Sequence, residues 1–346
     1  MSIGILVVVL APLLLAPAPA AGQVTSPAAK TWTPTRTPDG QPDLQGLWTM
    51  STFTPLERPA HLAGKELYTE EETAELRQLL TAEGVDPLAR TAINEEDEEK
   101  RRKKLVQSQE SIHYDNSIWL RTKQPKGLSS RRTSLIVDPA NGRIPPLTPE
   151  AKKRAAERKA ARGFDSYENR SLAERCIAWR HEGSPMMPAF YNDILQIFQA
   201  PGYVVILQEM SNNGPRIIPM DGRPHISPNI RQFPGDSRGR WEGDTLVVDT
   251  TNFTGKTNFR GSSEALHVVE RFTRVDADTI RYEFTVEDPA SWTQPWSAEM
   301  PMTTIEGPLY EYACHEGNYD VAHILEAARA LEKEAKATAA VARTAR

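Results

Sequence analysis

The chain has 346 residues, of which 46 are acidic and 41 are basic, and its formal net charge is −5. Charges so nearly balanced argue against nucleic acid or an anionic membrane surface as a partner. The length is enough for one large domain or two small ones, and the two cysteines exclude a dense disulfide framework.

The N-terminal residues 1–22 have the layout of a secretory signal peptide. An apolar stretch from Ile3 to Leu15 precedes the small residues Ala18-Pro19-Ala20-Ala21. The alternative is an uncleaved anchor, but this stretch is interrupted by Pro12 and is shorter than the roughly 20 residues that a spanning helix needs. We therefore expect an exported protein, periplasmic or extracellular, with no membrane contact after cleavage.

Composition changes along the chain predict its organisation. Residues 23–43 are rich in Pro, Thr and Ser and predict an extended arm or linker. Residues 44–330 are expected to form a single β-barrel-like domain with a charged helical insertion at about 69–165. Residues 331–346 are expected to be the end of a helix and a frayed tail.

The helical insertion carries recognisable start signals. Thr69 and Glu72 have the spacing of a capping box, which predicts a helix from this point. A second helix is predicted over 95–109, where acidic residues precede basic ones, and a third over 149–161 with Thr148 as its N-cap. The charge runs of these helices are interpreted as solvent-exposed faces.

Strands dominate after residue 193. The loop Asp276-Ala277-Asp278 predicts a hairpin, and the segment Ile280–Glu287 alternates strictly between apolar and polar residues. The predicted barrel strands lie at 43–49, 194–199, 203–210, 215–220, 245–253, 265–275, 280–287 and 296–302, and a further short strand is predicted at 134–138. A C-terminal helix is predicted from Val321 to about Lys336.

About eight antiparallel strands can close into an up-and-down barrel that is filled or holds one small ligand. The tripeptide Gly46-Leu47-Trp48 resembles the GxW signature on the first strand of lipocalin-like barrels. We therefore expect a mainly antiparallel β fold, a lipocalin-like barrel with an α-helical insertion and a C-terminal helix. A two-sheet β-sandwich is the alternative.

Three longer motifs resemble those of a family of exported bacterial proteins. They are PDLQGxW at Pro42–Trp48, GDSRGRWEGDTLVVDTTNF at Gly235–Phe253 and YEYACHEGNY at Tyr310–Tyr319, and they span nearly the whole chain after the leader. The resemblance implies a common fold. It implies no particular activity and no catalytic residues.

The segment from Asp221 to Asp244 is interpreted as a loop that carries site residues. His225 and Asp236 are candidates for proton transfer, and Arg231 and Arg238 could hold a carboxylate or phosphate, with Trp241 nearby. The alternative is a surface network in which the arginines pair with neighbouring carboxylates.

The strand at 265–275 places His267 and Arg271 on one face and Glu270 on the other. If the face of Glu270 is buried, its carboxylate must be paired, and an arginine is the natural partner. If the other face is inward, His267 and Arg271 lie inside the barrel. Either arrangement makes His267 and Glu270 catalytic candidates and Arg271 a ligand-binding candidate.

Aromatic residues and cysteines lie around the last strand. Trp292 and Trp296 could line a ligand mouth, or they pack the barrel end. An exported chain with two cysteines predicts a disulfide between Cys176 and Cys314. That bridge would bring His315 and Glu316 near Arg180 and His181, and a histidine from each cluster with Glu316 could hold a metal. Because ligands so distant in sequence cannot be verified by their spacing, we predict no metal site.

Two classes of function follow. The first is an exported small-molecule-binding barrel of unknown ligand, and the second is a cofactor-independent acid/base enzyme, such as an isomerase, lyase or hydrolase, acting on a small substrate. No cofactor is expected, since neither GxGxxG nor GxxxxGK[ST] occurs. The first class predicts an apolar interior, and the second predicts that the histidines and carboxylates meet in one cavity.

Overall fold

The computed structural model describes residues 32–82, 90–110, 128–161, 163–179, 182–188, 194–256 and 259–344. The chain divides into a unit of residues 1–33 and a unit of residues 34–346, and the helices and strands of the described ranges belong to the second. The predicted signal peptide at 1–22 lies outside the described residues.

The described strands form one antiparallel sheet that curls into a nearly closed barrel of nine strands. The order around it is β5-β4-β3-β1-β10-β9-β8-β7-β6, and the short β2 pairs with β10 outside this path. A single sheet excludes the two-sheet alternative, so the expected barrel is confirmed. The strands are β1 Gly46–Thr49, β2 Ile136–Asp138, β3 Ile194–Ala200, β4 Tyr203–Gln208, β5 Arg216–Pro219, β6 Asp236–Glu242, β7 Thr245–Thr251, β8 His267–Arg274, β9 Thr279–Glu287 and β10 Trp296–Thr304.

The strand β6 corrects the predicted loop from Asp221 to Asp244. It pairs with β7 along its whole length, and Gly243-Asp244 forms a two-residue hairpin turn between them. Gly243 has a φ of +60°, as such turns require. Every second residue of β6 is charged, and one of the inward positions between them is a glycine. The sequence of β6 therefore resembles a loop rather than a strand.

The barrel is not hydrogen-bonded between β5 and β6, and we call this gap the seam. Side chains close part of it. A Cβ added to Gly239 of β6 would lie 2.2 Å from Sδ of Met220 and 2.9 Å from Cγ2 of Ile218. The missing side chain at Gly239 therefore leaves the space that these two residues fill.

The barrel interior is packed with apolar side chains. The predicted alternation on β9 is confirmed, since Ile280, Tyr282, Phe284 and Val286 are buried and the residues between them are not. Trp48 of the GxW tripeptide is fully buried, and its indole N–H donates to the carbonyl of Leu44 at 2.9 Å. The core positions are thus occupied by the protein's own residues rather than by an open apolar chamber.

In the described ranges, four α-helices accompany the barrel: α1 Glu70–Leu80, α2 Glu98–Glu110, α3 Pro149–Ala160 and α4 Asp320–Thr344. The capping box of α1 is confirmed, with both hydrogen bonds between Thr69 and Glu72 present. Thr148 caps α3 as predicted. The helix α4 runs through most of the segment expected to fray, because alanine and other strong helix formers continue to its end.

The first three helices lie in the insertion between β1 and β3, as predicted. Two of them, α1 and α2, contribute side chains to a second, smaller apolar cluster. After α1 and α2 the chain returns to the barrel as β2. In this strand, Ile136 pairs with Ala298 of β10 and Asp138 pairs with Ser297. The helical insertion is therefore tied to the wall of the barrel by strand hydrogen bonds.

The part of the predicted arm from residue 34 onward is attached to the barrel. Gln199 of β3 donates its side-chain N–H to the carbonyl of Pro42 at 3.0 Å and accepts the N–H of Leu44 at 2.7 Å. Arg36 forms an ion pair of 2.7 Å with Asp244 in the β6–β7 turn. Residues 34–43 are therefore an arm held on the barrel by hydrogen bonds and an ion pair, rather than a free linker.

None of the helices in the described ranges is long and apolar enough to cross a membrane.

Candidate functional site

The predicted site residues on β8 divide between two faces of the barrel wall. Glu270 is fully buried in the interior, whereas His267 and Arg271 are partly exposed on the outer face. Of the two orientations that the sequence allows, this is the one that buries the carboxylate. The expectation that the histidines and Glu270 meet in one cavity is wrong, because successive strand residues point to opposite faces.

Inside the barrel, Glu270 is held by three side chains. The guanidinium of Arg216 binds both carboxylate oxygens, with Nη1 3.0 Å from Oε1. The hydroxyl of Tyr282 donates to Oε1 at 2.7 Å, and the hydroxyl of Ser184 donates to Oε2 at 2.8 Å. A buried carboxylate is stable only when it is paired and hydrogen-bonded in this way. The expected arginine partner is therefore Arg216.

Tyr282 is fixed in this network by a second hydrogen bond. Its oxygen accepts the backbone N–H of Met186 at 2.8 Å. Burial, together with the negative charge of Glu270, raises the pKa of Tyr282 well above its usual value. The phenol is therefore a hydrogen-bond donor to Glu270 rather than an acid that ionises near neutral pH.

Arg216 also crosses the seam. Its Nε donates to the hydroxyl of Ser237 on β6 at 3.0 Å, and its Nη2 donates to the hydroxyl of Thr250 on β7 at 2.9 Å. These two hydroxyls lie 3.0 Å apart. Side-chain hydrogen bonds thus join the two strands where the sheet itself does not.

On the outer face, two histidines share one carboxylate. Nε2 of His225 lies 3.0 Å from Oδ1 of Asp249, and Nε2 of His267 lies 3.0 Å from Oδ2 of the same residue. Nδ1 of His225 lies 2.7 Å from Oδ2 of Asp236, and Nδ1 of His267 lies 3.8 Å from Oε2 of Glu287. We call these five residues the outer cluster.

The carboxylates around His267 favour the charged form of its imidazole ring. The hydrogen bond to Asp249 raises the pKa of His267, and the same hydrogen bond is the main cause of the lowered pKa of Asp249. Both ring nitrogens of His225 lie within hydrogen-bond distance of carboxylate oxygens. No ring nitrogen of His225 is left to exchange a proton with a substrate.

The two predicted anion-holding arginines are used within the protein. Arg238 donates from Nη1 to Oδ1 of Asp236 at 2.8 Å and from Nε to the carbonyl of Pro224 at 3.0 Å. Arg231 donates from Nη1 to the carbonyl of Glu264 at 2.7 Å. Both arginines thus fasten the connection between β5 and β6, and the predicted alternative of a surface network is the arrangement observed.

A polar cavity of about 250 Å³ lies beside the seam. Arg216, Asp236 and Ser237 line it from the barrel, and Gln232 and Pro234 line it from the β5–β6 connection. Further polar side chains come from the neighbouring loops, namely Glu182, Gln208, Ser211 and Asn213. The cavity is therefore next to the interior network and shares Asp236 with the outer cluster.

Glu182 is a half-buried acid of this cavity. Its carboxylate accepts the backbone N–H groups of Trp179 at 3.2 Å, Asn212 at 3.0 Å and Asn213 at 3.2 Å. Burial nevertheless raises the pKa of Glu182 above its usual value. A ligand that donates hydrogen bonds here would compensate the carboxylate for its lost hydration.

The predicted aromatic binding residues are part of the core instead. Trp292 and Trp296 are 2% and 0% exposed, with ring centres 5.9 Å apart in an edge contact. Trp241 is on the inner side of β6 and packs against the same core. Arg271 is on the outer face, where it pairs with Glu242 at 2.9 Å. The prediction of a ligand mouth lined by these tryptophans is therefore wrong, because their rings pack in the apolar core.

The predicted disulfide between Cys176 and Cys314 is confirmed, with its Cα atoms 5.7 Å apart. His315 and Glu316 follow it in a short 3-10 helix. Arg180 and His181, which we expected nearby, lie outside the described residues. Within the described ranges, no group of three or more His, Cys, Asp or Glu side chains is arranged to hold a metal ion.

Three important residues are not among the sequence predictions. Arg216 begins a short strand after a proline, Asp249 is the one charged residue of the strand TLVVDTT, and Ser184 lies in an irregular segment. A single charged residue within a predicted strand is a signal that could have identified Asp249. No comparable signal marks Ser184, whose role depends on a residue 86 positions away.

No family model, curated protein or solved structure matches the chain.

Proposed function

We propose that this protein is an exported binding protein that takes a small polar molecule into the cavity at the seam. The observation that carries the proposal is the convergence of polar side chains from the barrel, the β5–β6 connection and two loops on one space of about 250 Å³. Concave sites with a few converging polar groups are typical of small-molecule binding.

The size and chemistry of the cavity limit its ligand. Its volume equals that of roughly eight water molecules at about 30 Å³ each, which suits a small metabolite. Glu182 and Asp236 are acceptors, while Gln232 and Asn213 offer both donors and acceptors. We expect a compact ligand with several hydroxyl, amide or amine groups, rather than the apolar or amphipathic molecule of a hollow barrel.

Export is the second part of the proposal. The disulfide supports it, because such bonds persist in oxidising compartments. The sequence of residues 1–22 supports it as well.

The family resemblance is also a proposal, and the placing of its motifs supports it. Gly235–Phe253 covers the β6–β7 hairpin, which forms one side of the seam. Pro42–Trp48 includes most of β1, and Tyr310–Tyr319 includes Cys314. The lipocalin-like resemblance has the buried Trp48 on the first strand and the C-terminal helix in its favour.

An acid/base enzyme has less support. His225 has both nitrogens engaged by carboxylates, and His267 lies on the outer wall of the barrel. Glu270 is on the opposite face of β8, bound by Arg216. We therefore propose ligand binding without a chemical step.

The test is a thermal-shift screen of the purified protein against polar metabolites, followed by calorimetry on any compound that stabilises it. Gln232→Trp places a large side chain at the wall of the cavity, and Gln294→Trp makes the same change at an exposed position outside it. We expect the affinity to fall at least tenfold in the first variant and to stay the same in the second. Equal affinity in both variants, or no ligand among the polar compounds, would contradict the proposal.

A further inference from the structure

A second and larger cleft lies in the helical insertion, outside the barrel. Its volume is about 600 Å³, and it is formed by α1, α2 and the short 3-10 helices Ala60–Leu62 and Arg90–Asn94. This volume lies within the range of small-molecule sites, about 300 to 1,000 Å³. The cleft shares no lining residue with the seam cavity.

The floor of the cleft is apolar. Leu62, Leu76 and Leu79 are only partly buried, and they pack against the small apolar cluster that contains Ile93. Successive turns of α1 bring Leu76 and Leu79 to the same side of the helix. The apolar surface of these side chains faces the cleft, where an apolar ligand group would remove it from water.

The hydroxyl of Tyr68 is a polar group in this floor. Tyr68 is 5% exposed and lines the cleft, and among the described residues no hydrogen bond engages its hydroxyl. A tyrosine hydroxyl can donate and accept a hydrogen bond, so a ligand in the cleft can pair with it.

The rim of the cleft is charged but nearly neutral in sum. Glu72 pairs with Lys65, and Arg102 pairs with Glu98 at 2.6 Å. Burial raises the pKa of the Tyr68 hydroxyl, while the charges of Arg101 and Glu72 act on it in opposite directions. Because these charges offset one another, the rim selects neither an anion nor a cation.

We propose that this cleft is a second ligand site, which binds a neutral amphipathic molecule. The apolar body of the ligand lies on Leu62, Leu76 and Leu79, and one oxygen or nitrogen of the ligand hydrogen-bonds to Tyr68. This site is independent of the seam cavity in its residues and in the chemistry that it selects.

The probe for the test is N-phenyl-1-naphthylamine, a neutral amphipathic dye whose fluorescence rises in apolar surroundings. Glu75→Trp blocks the cleft from an exposed position of α1, and Glu71→Trp is the matched control on the same helix, at a residue that does not line the cleft. We expect saturable binding of one dye to the wild type, at least a tenfold loss of affinity in Glu75→Trp, and no change in Glu71→Trp. Circular dichroism checks that both variants fold.

Tyr68→Phe keeps the shape of the side chain and removes only the hydroxyl. It is expected to weaken dye binding by about three- to tenfold, because the amine of the dye loses its hydrogen bond to that hydroxyl. Gln232→Trp, at the seam cavity, should leave dye binding unchanged, so that failure at one site is distinguishable from failure at the other. Absence of saturable binding, or equal binding by Glu75→Trp and Glu71→Trp, would overturn the proposal.

Discussion

Arg216 on β5 and Glu270 on β8 form an ion pair inside the barrel, at the level where β5 and β6 are not joined by strand hydrogen bonds. The side chain of Glu270 is 0% exposed and that of Arg216 is 8% exposed. The pair therefore contributes to both the buried interior and the closure of the seam.

Arg216→Ala is expected to destabilise the protein by about 3 to 5 kcal/mol, because it leaves a buried carboxylate without its counter-charge. Urea unfolding followed by circular dichroism measures the change. Arg240→Ala is the control, since Arg240 pairs with Glu242 at the exposed surface and such pairs contribute about 0 to 1 kcal/mol. A loss below about 1 kcal/mol for Arg216→Ala would contradict the account of the interior network.

The outer cluster predicts a stability that depends on pH. The pKa of His267 is raised by Asp249, so the stabilisation from this pair is fully present below the unfolded histidine pKa of about 6.5 and is lost as the pH rises through the higher folded value. The pKa of Asp249 is lowered, so its contribution is lost at the acidic end, as the pH falls through its folded value.

Asp249→Asn should therefore destabilise the protein more at pH 6 than at pH 9, and it should lower the pKa of His267. Unfolding by urea at the two pH values tests the first expectation, and an NMR titration of the His267 ring tests the second. Asp244→Asn, in the β6–β7 turn, is the matched control. If both variants give the same His267 midpoint as the wild type, Asp249 is not the cause of the shift.

Gly235 is expected to tolerate no side chain. It has a φ of +73°, and an added Cβ would lie 2.7 Å from the carbonyl oxygen of Thr251 and 2.9 Å from the ring of Phe253. Gly235→Ala should cost about 2 to 4 kcal/mol, from the left-handed backbone and from crowding together. Differential scanning calorimetry measures the loss.

Gly222→Ala separates these two causes. Gly222 has the same φ of +73° but no atom within 4 Å of an added Cβ. We expect about 1 to 2 kcal/mol for this variant, from backbone strain alone. Equal losses at the two glycines would show that crowding at Gly235 adds nothing.

The disulfide predicts a large effect of reduction. Cys176 and Cys314 are 138 residues apart, and the chain-entropy model gives about 5 kcal/mol for a loop of this length. The Cys176→Ser, Cys314→Ser double variant should lose up to this amount in urea unfolding. Dithiothreitol should destabilise the wild type and leave the double variant unchanged, and any further loss in the variant would point to an effect of the reductant elsewhere.

The sequence predicts those elements that depend on residues close together in the chain. The capping box at Thr69, the hairpin after Val275 and the alternation in β9 each depend on residues a few positions apart, and the structure confirms them. The strand β6 was missed because its outward charges resemble a loop. Its partner β7 supplies the hydrogen bonds that make it a strand.

The segment from Met220 to Glu287 contains all five residues of the outer cluster and Glu270, and its sequence alone determined that a β-scaffold would carry them. Only the tertiary structure decided that His225 and His267 share Asp249 on the outer wall, and that Glu270 turns inward to Arg216. The physical reason is that strand register and barrel curvature decide which distant residues meet and which face is buried. Burial then determines whether a carboxylate is a surface charge or part of a paired interior network.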